Sequence, residues 1–332
     1  MREQKIQFIL GLLAYAVQRG IPAKELCRHC GIDLDVLKSG ETLPSPKHVN
    51  DLWRNACYLC DDPLFGLHFG ESLQLAALGA VGEIIKSSES VGHAVSIAAS
   101  LTPAITDDLV MEVAKEKKRF TIRLRTRDGE IDDFVARQVA DMLMVFTIHE
   151  LNGFLLTRIQ PDTVTYPYKL SHAGEYERVF RTKSIANSSE YSVTFPSKYW
   201  DEPIITANYE IQQLFLEKVR LSSSEHRADE ISFQVKILDY LMKNSYLGIL
   251  TLEDVAANFN MSPRSLQRRL QEESTTFQQL ADSVKKSLAI HYLQSGKHQI
   301  KEISSILGYN ELSAFSRAFK RWTGKPPMDY HA

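Results

Sequence analysis

Apolar residues recur at helical spacing over the first third of the chain. The first such run, 4–19, has four apolar residues on one helical face, namely Ile6, Ile9, Leu10 and Leu13. Similar patterns cover 22–30, 47–60 and 90–100, with breaks rich in Pro, Gly or Asp between them. We therefore predict a helical segment over 1–105 whose first helix is buried.

The pattern changes near residue 107, where apolar and polar positions begin to alternate. Two alternating runs flank a charged turn at 115–118 and predict a β-hairpin. An amphipathic helix is predicted over 132–154 and is expected to stop at Gly153. Shorter elements follow, namely a strand at 163–169, a helix at 174–180 and a strand at 190–200. Residues 106–205 are therefore predicted to form an α+β unit.

A polar, Ser-rich stretch at 221–230 is the predicted linker between two domains. The N-terminal domain is then expected over 1–220 and the C-terminal domain over 231–332. All periodic segments after the linker are helical. The predicted fold class is multidomain, with a mixed helical and α+β domain followed by an all-α domain.

Residues 251–273 encode a helix, a short turn and a second helix. Thr251 and Asp254 have capping-box spacing, Asn260 suits a left-handed turn, and Ser262 can cap the second helix. Its outward positions are polar or basic, namely Arg264, Gln267, Arg268 and Gln271. This order of elements predicts a helix-turn-helix unit.

The pattern recurs over 300–322, with Gly308 at the turn and with Phe315 and Phe319 directed inward. A single long helix that ends at Gly296 joins the two units. The outward positions of the last helix are Ser313, Ser316, Arg317 and Lys320. The C-terminal domain is therefore predicted to hold two helix-turn-helix units.

Charge is distributed unevenly along the chain, whose formal net charge is -2. Residues 262–325 hold 11 Lys and Arg against 5 Asp and Glu, a balance of +6. A helix over 311–322 with aromatic and basic residues fits an amphipathic surface helix, a membrane-surface helix or a helix that reads a nucleic-acid groove. The local basic charge and the repeated unit favour the groove.

Residues 302–330 resemble the most diagnostic part of the AraC/XylS family of bacterial-type regulators, and 61–100 with 163–204 are similar to the arabinose-binding-like effector domain of one subgroup. The resemblance implies an effector-binding and dimerisation domain followed by a DNA-binding domain. Two departures stand out. Lys285 or Lys286 occupies a position where the family usually has Arg, and His331 replaces the family's final Arg.

The resemblance and the chemistry of Arg together predict the DNA contacts. Arg268 and Arg317 are expected to contact bases, because Arg pairs bidentately with guanine. Family position adds Arg264, Gln267, Ser313 and Ser316 as contacts. Phosphate contacts are expected from Lys320, Lys285 and Lys286. Arg269 and Arg321 are expected to form ion pairs within the domain.

The function predicted from this resemblance is a ligand-responsive transcriptional activator that binds promoter DNA, acts as a homodimer, contacts RNA polymerase and works in the cytoplasm. The sequence does not identify the effector. Polar candidates in the N-terminal domain are interpreted as structural or exposed, namely His93, Arg137, His149, His172 and Tyr176. A constitutive regulator, whose N-terminal half only dimerises, is the alternative.

Four cysteines form two CxxC pairs, namely Cys27, Cys30, Cys57 and Cys60. Two such pairs can bind zinc, and a zinc-responsive regulator is a further alternative. The 26 residues between the pairs exceed the usual spacing and the flanking sequences are helical, so we interpret the thiols as small hydrophobes. No nucleophile elbow, phosphate loop or metalloprotease motif is found, and neither catalysis nor a cofactor is expected.

Overall fold

Two units divide the chain in the computed structural model, one within 1–206 and one within 207–332. The structure describes residues 2–78, 80–127, 133–155, 159–204, 232–243, 250–296 and 298–330. The predicted linker, 221–230, lies outside the described residues.

Seven described helices open the N-terminal unit, and four of them lie over segments whose apolar periodicity predicted a helix. The seven are α1 (Arg2–Gln18), α2 (Ala23–His29), α3 (Leu34–Ser39), α4 (Pro46–Leu59), α5 (Phe65–Ser72), α6 (Ala80–Lys86) and α7 (Val91–Leu101). Side chains fix several of the starts. The Ser45 hydroxyl accepts a hydrogen bond from the backbone N–H of His48 at 3.3 Å, and Ser90 caps α7 in the same way. The apolar face of α1 is buried, with Leu12 only 1% exposed.

A five-stranded sheet follows, with spatial order β1-β2-β5-β3-β4. The strands are β1 (Leu109–Lys115), β2 (Arg119–Thr126), β3 (Thr163–Tyr166), β4 (Ile185–Asn187) and β5 (Tyr191–Pro196). The predicted hairpin is confirmed, since β1 and β2 are antiparallel and Lys115 lies opposite Phe120. Strand β4 was not predicted, because three residues are too few to show an alternation. It pairs in parallel with β3, and helix α9 (Ala173–Phe180) joins the two.

The central element of the unit is helix α8 (Asp133–Leu155), which is buried over most of its length. The prediction that it stops at Gly153 was wrong, because the helix continues to Leu155 and Gly153 is buried within it. Helix α5 packs closely on α8 at two glycines. A Cβ on Gly66 would lie 2.1 Å from the Gln138 carbonyl oxygen, and one on Gly70 would lie 2.5 Å from that of Met142.

The replacement Gly66→Ala is expected to destabilise the N-terminal unit, because the added methyl group would meet rigid backbone of α8. Overpacking of this kind costs about 1–3 kcal/mol, or several degrees in Tm for a unit of this size. Thermal unfolding followed by circular dichroism measures the effect. Gly174→Ala in α9 is the matched control, since nothing lies within 4 Å of its Cβ position. Equal Tm values for the two variants would contradict the close contact between α5 and α8.

A network of charged side chains lies beside this contact. Three of its members are buried and two are half-buried, namely Asp62, His68 and Glu71 and then Glu175 and Arg178. His68 on α5 places Nδ1 2.7 Å from Asp62 Oδ2 and Nε2 2.9 Å from Glu175 Oε1. Arg178 on α9 binds both carboxylate oxygens of Glu71 at 2.8 and 2.9 Å. Burial lowers the pKa of His68, but the two carboxylates outweigh burial and raise that pKa to about 9. The imidazole is therefore charged at neutral pH and links α5 to α9.

The four cysteines lie in the helical part of the unit, three of them buried and Cys60 half-buried. Burial raises the pKa of the Cys30 and Cys60 thiols to about 11 in each case, which disfavours the thiolate that zinc requires. Within the described residues, no three His, Cys, Asp or Glu side chains are grouped as metal ligands. The zinc alternative therefore gains no support from these side chains.

The polar candidates of the N-terminal domain fall into two groups. His149 and Tyr176 are buried, and the Tyr176 hydroxyl donates to Asp141 Oδ2 at 2.8 Å. The exposed ones are His93, Arg137 and His172. None of them lines either of the two described cavities of the unit. Across the described ranges, no single helix is long and apolar enough to span a membrane, and only α1 and α2 together, which meet at a 118° bend, pass that test.

Six described helices form the C-terminal unit. They are α10 (Phe233–Lys243), α11 (Leu252–Asn258), α12 (Pro263–Glu272), α13 (Phe277–Ser295), α14 (Ile300–Ile306) and α15 (Leu312–Thr323). Their apolar faces meet in one core. Helix α10 is held to the first helix-turn-helix unit, because the Glu273 carboxylate accepts hydrogen bonds from the backbone N–H groups of Phe233 and Gln234, both at 2.7 Å.

Candidate DNA-binding interface

The first helix-turn-helix unit consists of α11 and α12, and its local geometry agrees with the prediction. The Thr251 hydroxyl accepts from the Asp254 N–H at 3.1 Å, and the Asp254 carboxylate accepts from the Thr251 N–H at the same distance. Asn260 has a φ of 51°, the left-handed conformation that the turn requires. The Ser262 hydroxyl then caps α12 by accepting from the Ser265 N–H at 3.1 Å.

Helix α12 has one apolar face and one basic face. Leu266 and Leu270 are fully buried in the core of the unit. The predicted contact residues Arg264, Gln267 and Arg268 are all exposed. Arg268 is 77% exposed and lies 3.7 Å from Glu272, an exposed pair that contributes little and is easily exchanged for a phosphate or base.

The second unit consists of α14 and α15, and α15 likewise has a buried apolar face and an exposed basic face. Gly308 turns the chain with a φ of 77°, and Phe315 and Phe319 are fully buried. Arg317 and Lys320 are exposed on the opposite side of α15. Near the start of α15, Ser313 is exposed and donates to Glu311 Oε2 at 3.2 Å, whereas Ser316 is half-buried. Of the four DNA contacts predicted on α15, Ser313, Arg317 and Lys320 are therefore exposed and Ser316 is partly covered.

Helix α13 joins the two units and ends, as predicted, at Gly296 with a φ of 63°. Lys285 is half-buried, with Nζ 4.9 Å from the centre of the Tyr309 ring, and burial lowers its pKa. Lys286 is also half-buried. Lys285 therefore links α13 to the turn of the second unit, and a phosphate contact would compete with this packing.

Two further arginines were expected to form ion pairs within the domain. Arg321 does so, with its guanidinium 3.2 Å from Asp282 Oδ2 on α13. Arg269 instead stacks its guanidinium 4.4 Å from the centre of the Phe233 ring on α10. Both residues therefore tie helices together, which leaves Arg264, Arg268 and Arg317 for other partners.

One exposed apolar residue of α15 was not among the contacts predicted from the sequence. Leu312, the first residue of α15, is 43% exposed, whereas the apolar residues Phe315 and Phe319 of the same helix are buried. The first residues of a recognition helix contact base edges, and an apolar side chain there can contact a thymine methyl group. The sequence feature that could have indicated Leu312 is its position next to Ser313, which was predicted to face outward.

Two family models match separate parts of the chain. The family model of the arabinose-binding domain of AraC transcription regulators matches residues 20–204, and a helix-turn-helix domain model matches 255–332. The chain is 27% identical to the ornithine utilization regulator of Pseudomonas aeruginosa, over 98% of this chain and 95% of that protein. It is 33% identical to the transcriptional activator FapR of Escherichia coli, over 55% of this chain and 70% of that protein.

Among solved structures, the chain is similar to the transcriptional regulator CdpR from Pseudomonas aeruginosa, with 21% sequence identity and a TM-score of 0.41. That similarity covers 91% of this chain and 96% of the other. The arabinose-binding-domain model lies within the N-terminal unit and matches more than half of the chain, and the helix-turn-helix model lies within the C-terminal unit. With two helix-turn-helix units at its C-terminus and this domain before them, the protein belongs to the AraC family of DNA-binding transcriptional regulators.

Proposed function

We propose that the protein is a ligand-responsive activator that inserts α12 and α15 into successive major grooves on one side of promoter DNA. The observation that carries the proposal is that both helices have a buried apolar face and an exposed basic face. In each, the apolar side chains are buried in the unit's core and an exposed arginine, Arg268 or Arg317, lies on the outer face. Successive major grooves are about 34 Å apart, which suits two recognition helices on one joining helix.

Within this proposal the exposed residues have different tasks. Arg268 and Arg317 contact base edges, with Arg264 and Gln267 beside the first and Ser313 beside the second. Lys320 and Lys286 contact phosphates. Lys285 is expected to contribute less than Lys286, because its ammonium packs on the Tyr309 ring. The short side chain of Ser316 is half-buried and is expected to contribute less than that of Ser313.

Control by the N-terminal unit is the second part of the proposal. A small-molecule effector bound by this unit would shift the population of DNA-binding arrangements, and a homodimer would raise the effective concentration of recognition helices at repeated half-sites. Contact with RNA polymerase in the cytoplasm would then activate transcription, in line with the description of FapR as an activator. DNA binding unchanged by deletion of the N-terminal unit would instead favour a constitutive regulator.

The replacements Arg268→Ala and Arg317→Ala test the two-groove arrangement. Each is expected to weaken binding to a selected promoter site by about 1–3 kcal/mol and to relax the sequence preference at one or two positions, because a bidentate Arg–guanine pair is lost. Selection of bound sequences from a random pool, followed by titration, measures both effects. The two relaxed positions are expected to lie about 10 base pairs apart.

Lys320→Ala is the matched comparison on the same helix as Arg317. It removes a charge proposed to meet a phosphate, so binding should weaken similarly on all sequences, and the slope of log K against log salt should fall by about one. Sequence preferences of both arginine variants identical to those of the natural protein would contradict the proposed readout.

A further inference from the structure

A cavity of about 180 Å³ lies in the N-terminal unit between α1, α4, α8 and the segment before β1. Phe8 of α1, Trp53 of α4 and Val139 of α8 line it, and all three are buried. The Trp53 ring belongs to an aromatic cluster, since its centre lies 6.1 Å from the ring centres of both Phe65 and Phe69. Elements that are far apart in the sequence therefore enclose one space with a firmly packed aromatic wall.

Ten of the fifteen lining residues are apolar, and the polar ones are Lys5, Asn50, Thr106, Asp107 and Asp108. Most of the polar groups are engaged within the protein. The Lys5 ammonium forms an ion pair with Asp107, which is 65% exposed, so this pair lies where the cavity meets solvent. The Thr106 hydroxyl accepts a hydrogen bond from the Asp108 backbone N–H at 3.1 Å, and Asp108 interacts with a further group as well. The polar lining therefore has few hydrogen bonds to offer a ligand.

We propose that this cavity binds an apolar molecule of about one ring, aromatic or alicyclic, in preference to a sugar of the same size. The volume sets the size of the ligand, since a protein cavity of about 150 Å³ holds benzene, whereas drug-sized ligands occupy about 300–1,000 Å³. The rings of Phe8 and Trp53 offer an apolar surface against which such a ring can pack. A single polar substituent on the ligand can stay at the mouth, in contact with solvent.

The polarity of the lining decides against a sugar, although the family model that matches residues 20–204 is described as an arabinose-binding domain. A monosaccharide carries a hydroxyl group on nearly every carbon, and each hydroxyl loses hydrogen bonds to water when it enters an apolar space. Side chains that could replace these hydrogen bonds are scarce here, because the walls are apolar and most of the polar groups are already engaged. An apolar ring loses no hydrogen bonds and gains from the removal of its surface from water.

A ligand in this cavity contacts α1, α4 and α8 together and therefore stabilises their packing in the N-terminal unit. This inference deepens the proposed effector response and rests on it for its biological role. Binding itself is independent of DNA and can be measured without it. The two proposals can therefore fail separately.

The test is calorimetric titration of the full-length protein, without DNA, with benzyl alcohol, cyclohexylmethanol and L-arabinose. The three probes are similar in size and each contains a single ring, but only arabinose carries hydroxyl groups around that ring. We expect both apolar probes to bind with a Kd of about 1 mM or tighter, which is within reach of ligands of this size. Arabinose should bind at least about tenfold more weakly, because most of its hydroxyl groups find no partner in place of water.

Variants at Val49 locate the binding site, because this half-buried residue of α4 lines the cavity. Val49→Phe should abolish binding of both apolar probes by filling the space. Val36→Phe is the matched control, since Val36 on α3 is 38% exposed and does not line the cavity, and it should leave binding unchanged. Circular dichroism checks the fold of each variant. If Val49→Phe does not fold, Val49→Leu adds a single methylene and should weaken binding about fivefold, at the lower end of the costs of overpacking.

The proposal is overturned if neither apolar probe binds, if arabinose binds as tightly as they do, or if a folded Val49 variant binds normally. None of these results would touch the proposed readout of DNA, which the arginine variants test by themselves. Conversely, binding of the apolar probes at this cavity with no change in promoter occupancy would support the site and contradict its link to the effector response.

Discussion

The replacement Phe315→Ala is expected to unfold the C-terminal unit and to abolish binding to all DNA sequences. Phe315 is fully buried, with its ring centre 5.8 Å from that of Phe319 and 5.7 Å from that of Tyr309. Truncation of a buried Phe costs about 3–5 kcal/mol, which is a large share of the stability of a small helical unit. Chemical unfolding and DNA titration of the same preparation measure the two losses together.

Leu312→Ala is the control on the same helix, since Leu312 is 43% exposed. Its stability should change by less than about 0.5 kcal/mol, as for most exposed positions. DNA binding should persist, with a weaker preference only where the site has a thymine methyl group in contact. Loss of all binding by both variants without loss of stability would contradict the assignment of Phe315 to the core.

The replacement His68→Gln is expected to destabilise the N-terminal unit by about 3 kcal/mol or more, because it removes the positive charge between two carboxylates of a buried network. The pH dependence of the folding stability distinguishes a charged His68 from a neutral one. The folded-state pKa of about 9 lies above the ordinary value of 6.5. The stabilisation is therefore fully present below about pH 6.5 and is lost as the pH rises through about 9.

Urea unfolding of the natural protein at a series of pH values between these limits is expected to show this decline, and the His68→Gln variant should lack it. His93→Gln is the matched control, because His93 is an exposed histidine of the same unit. At acidic pH the network loses stability through protonation of Glu175. Burial raises the pKa of Glu175, but His68 and Arg178 outweigh burial and lower that pKa to about 2, so this loss occurs as the pH falls towards 2. A flat stability profile in the natural protein above neutral pH would contradict a charged His68.

The two helix-turn-helix units connect these stability predictions to function. In α12 and α15 the buried side chains fix the rotation of the helix about its axis, and that rotation decides which residues face outward. A loss of core packing is therefore expected to abolish DNA binding even when Arg268 and Arg317 are intact. A loss of one arginine, in contrast, is expected to change the sequence preference and to leave the fold in place.

Local signals were sufficient for much of the C-terminal unit. Capping boxes, the left-handed turn at Asn260 and the glycine turns at Gly296 and Gly308 each act through neighbouring residues. The spacing of Leu266 and Leu270 likewise defines the inner face of α12 without reference to any other element. Seven of the eight outward positions predicted for α12 and α15 are exposed, and Ser316 is half-buried. The contacts of these residues with DNA remain predictions.

Other features depend on residues that are far apart in the chain. The sequence could not show that Lys285 packs on Tyr309 or that Arg269 stacks on Phe233, because both pairs join different helices. It predicted a stop at Gly153, where burial within the unit carries α8 on to Leu155. It also gave no sign of β4, whose pairing with β3 depends on the helix between them.

The sequence by itself determined the two helix-turn-helix units, since apolar periodicity, caps, turns and local charge each act over a few residues. The resemblance of these residues to AraC-type regulators then predicted the class of the protein. Only the tertiary structure decided how the N-terminal unit is held together and what it can enclose. The charged network around His68 and the cavity between α1, α4 and α8 draw on segments separated by more than a hundred positions. Side chains that are so far apart in the sequence are brought together only by tertiary packing. Neither the composition of the chain nor the spacing of its residues indicates which of these side chains will be in contact.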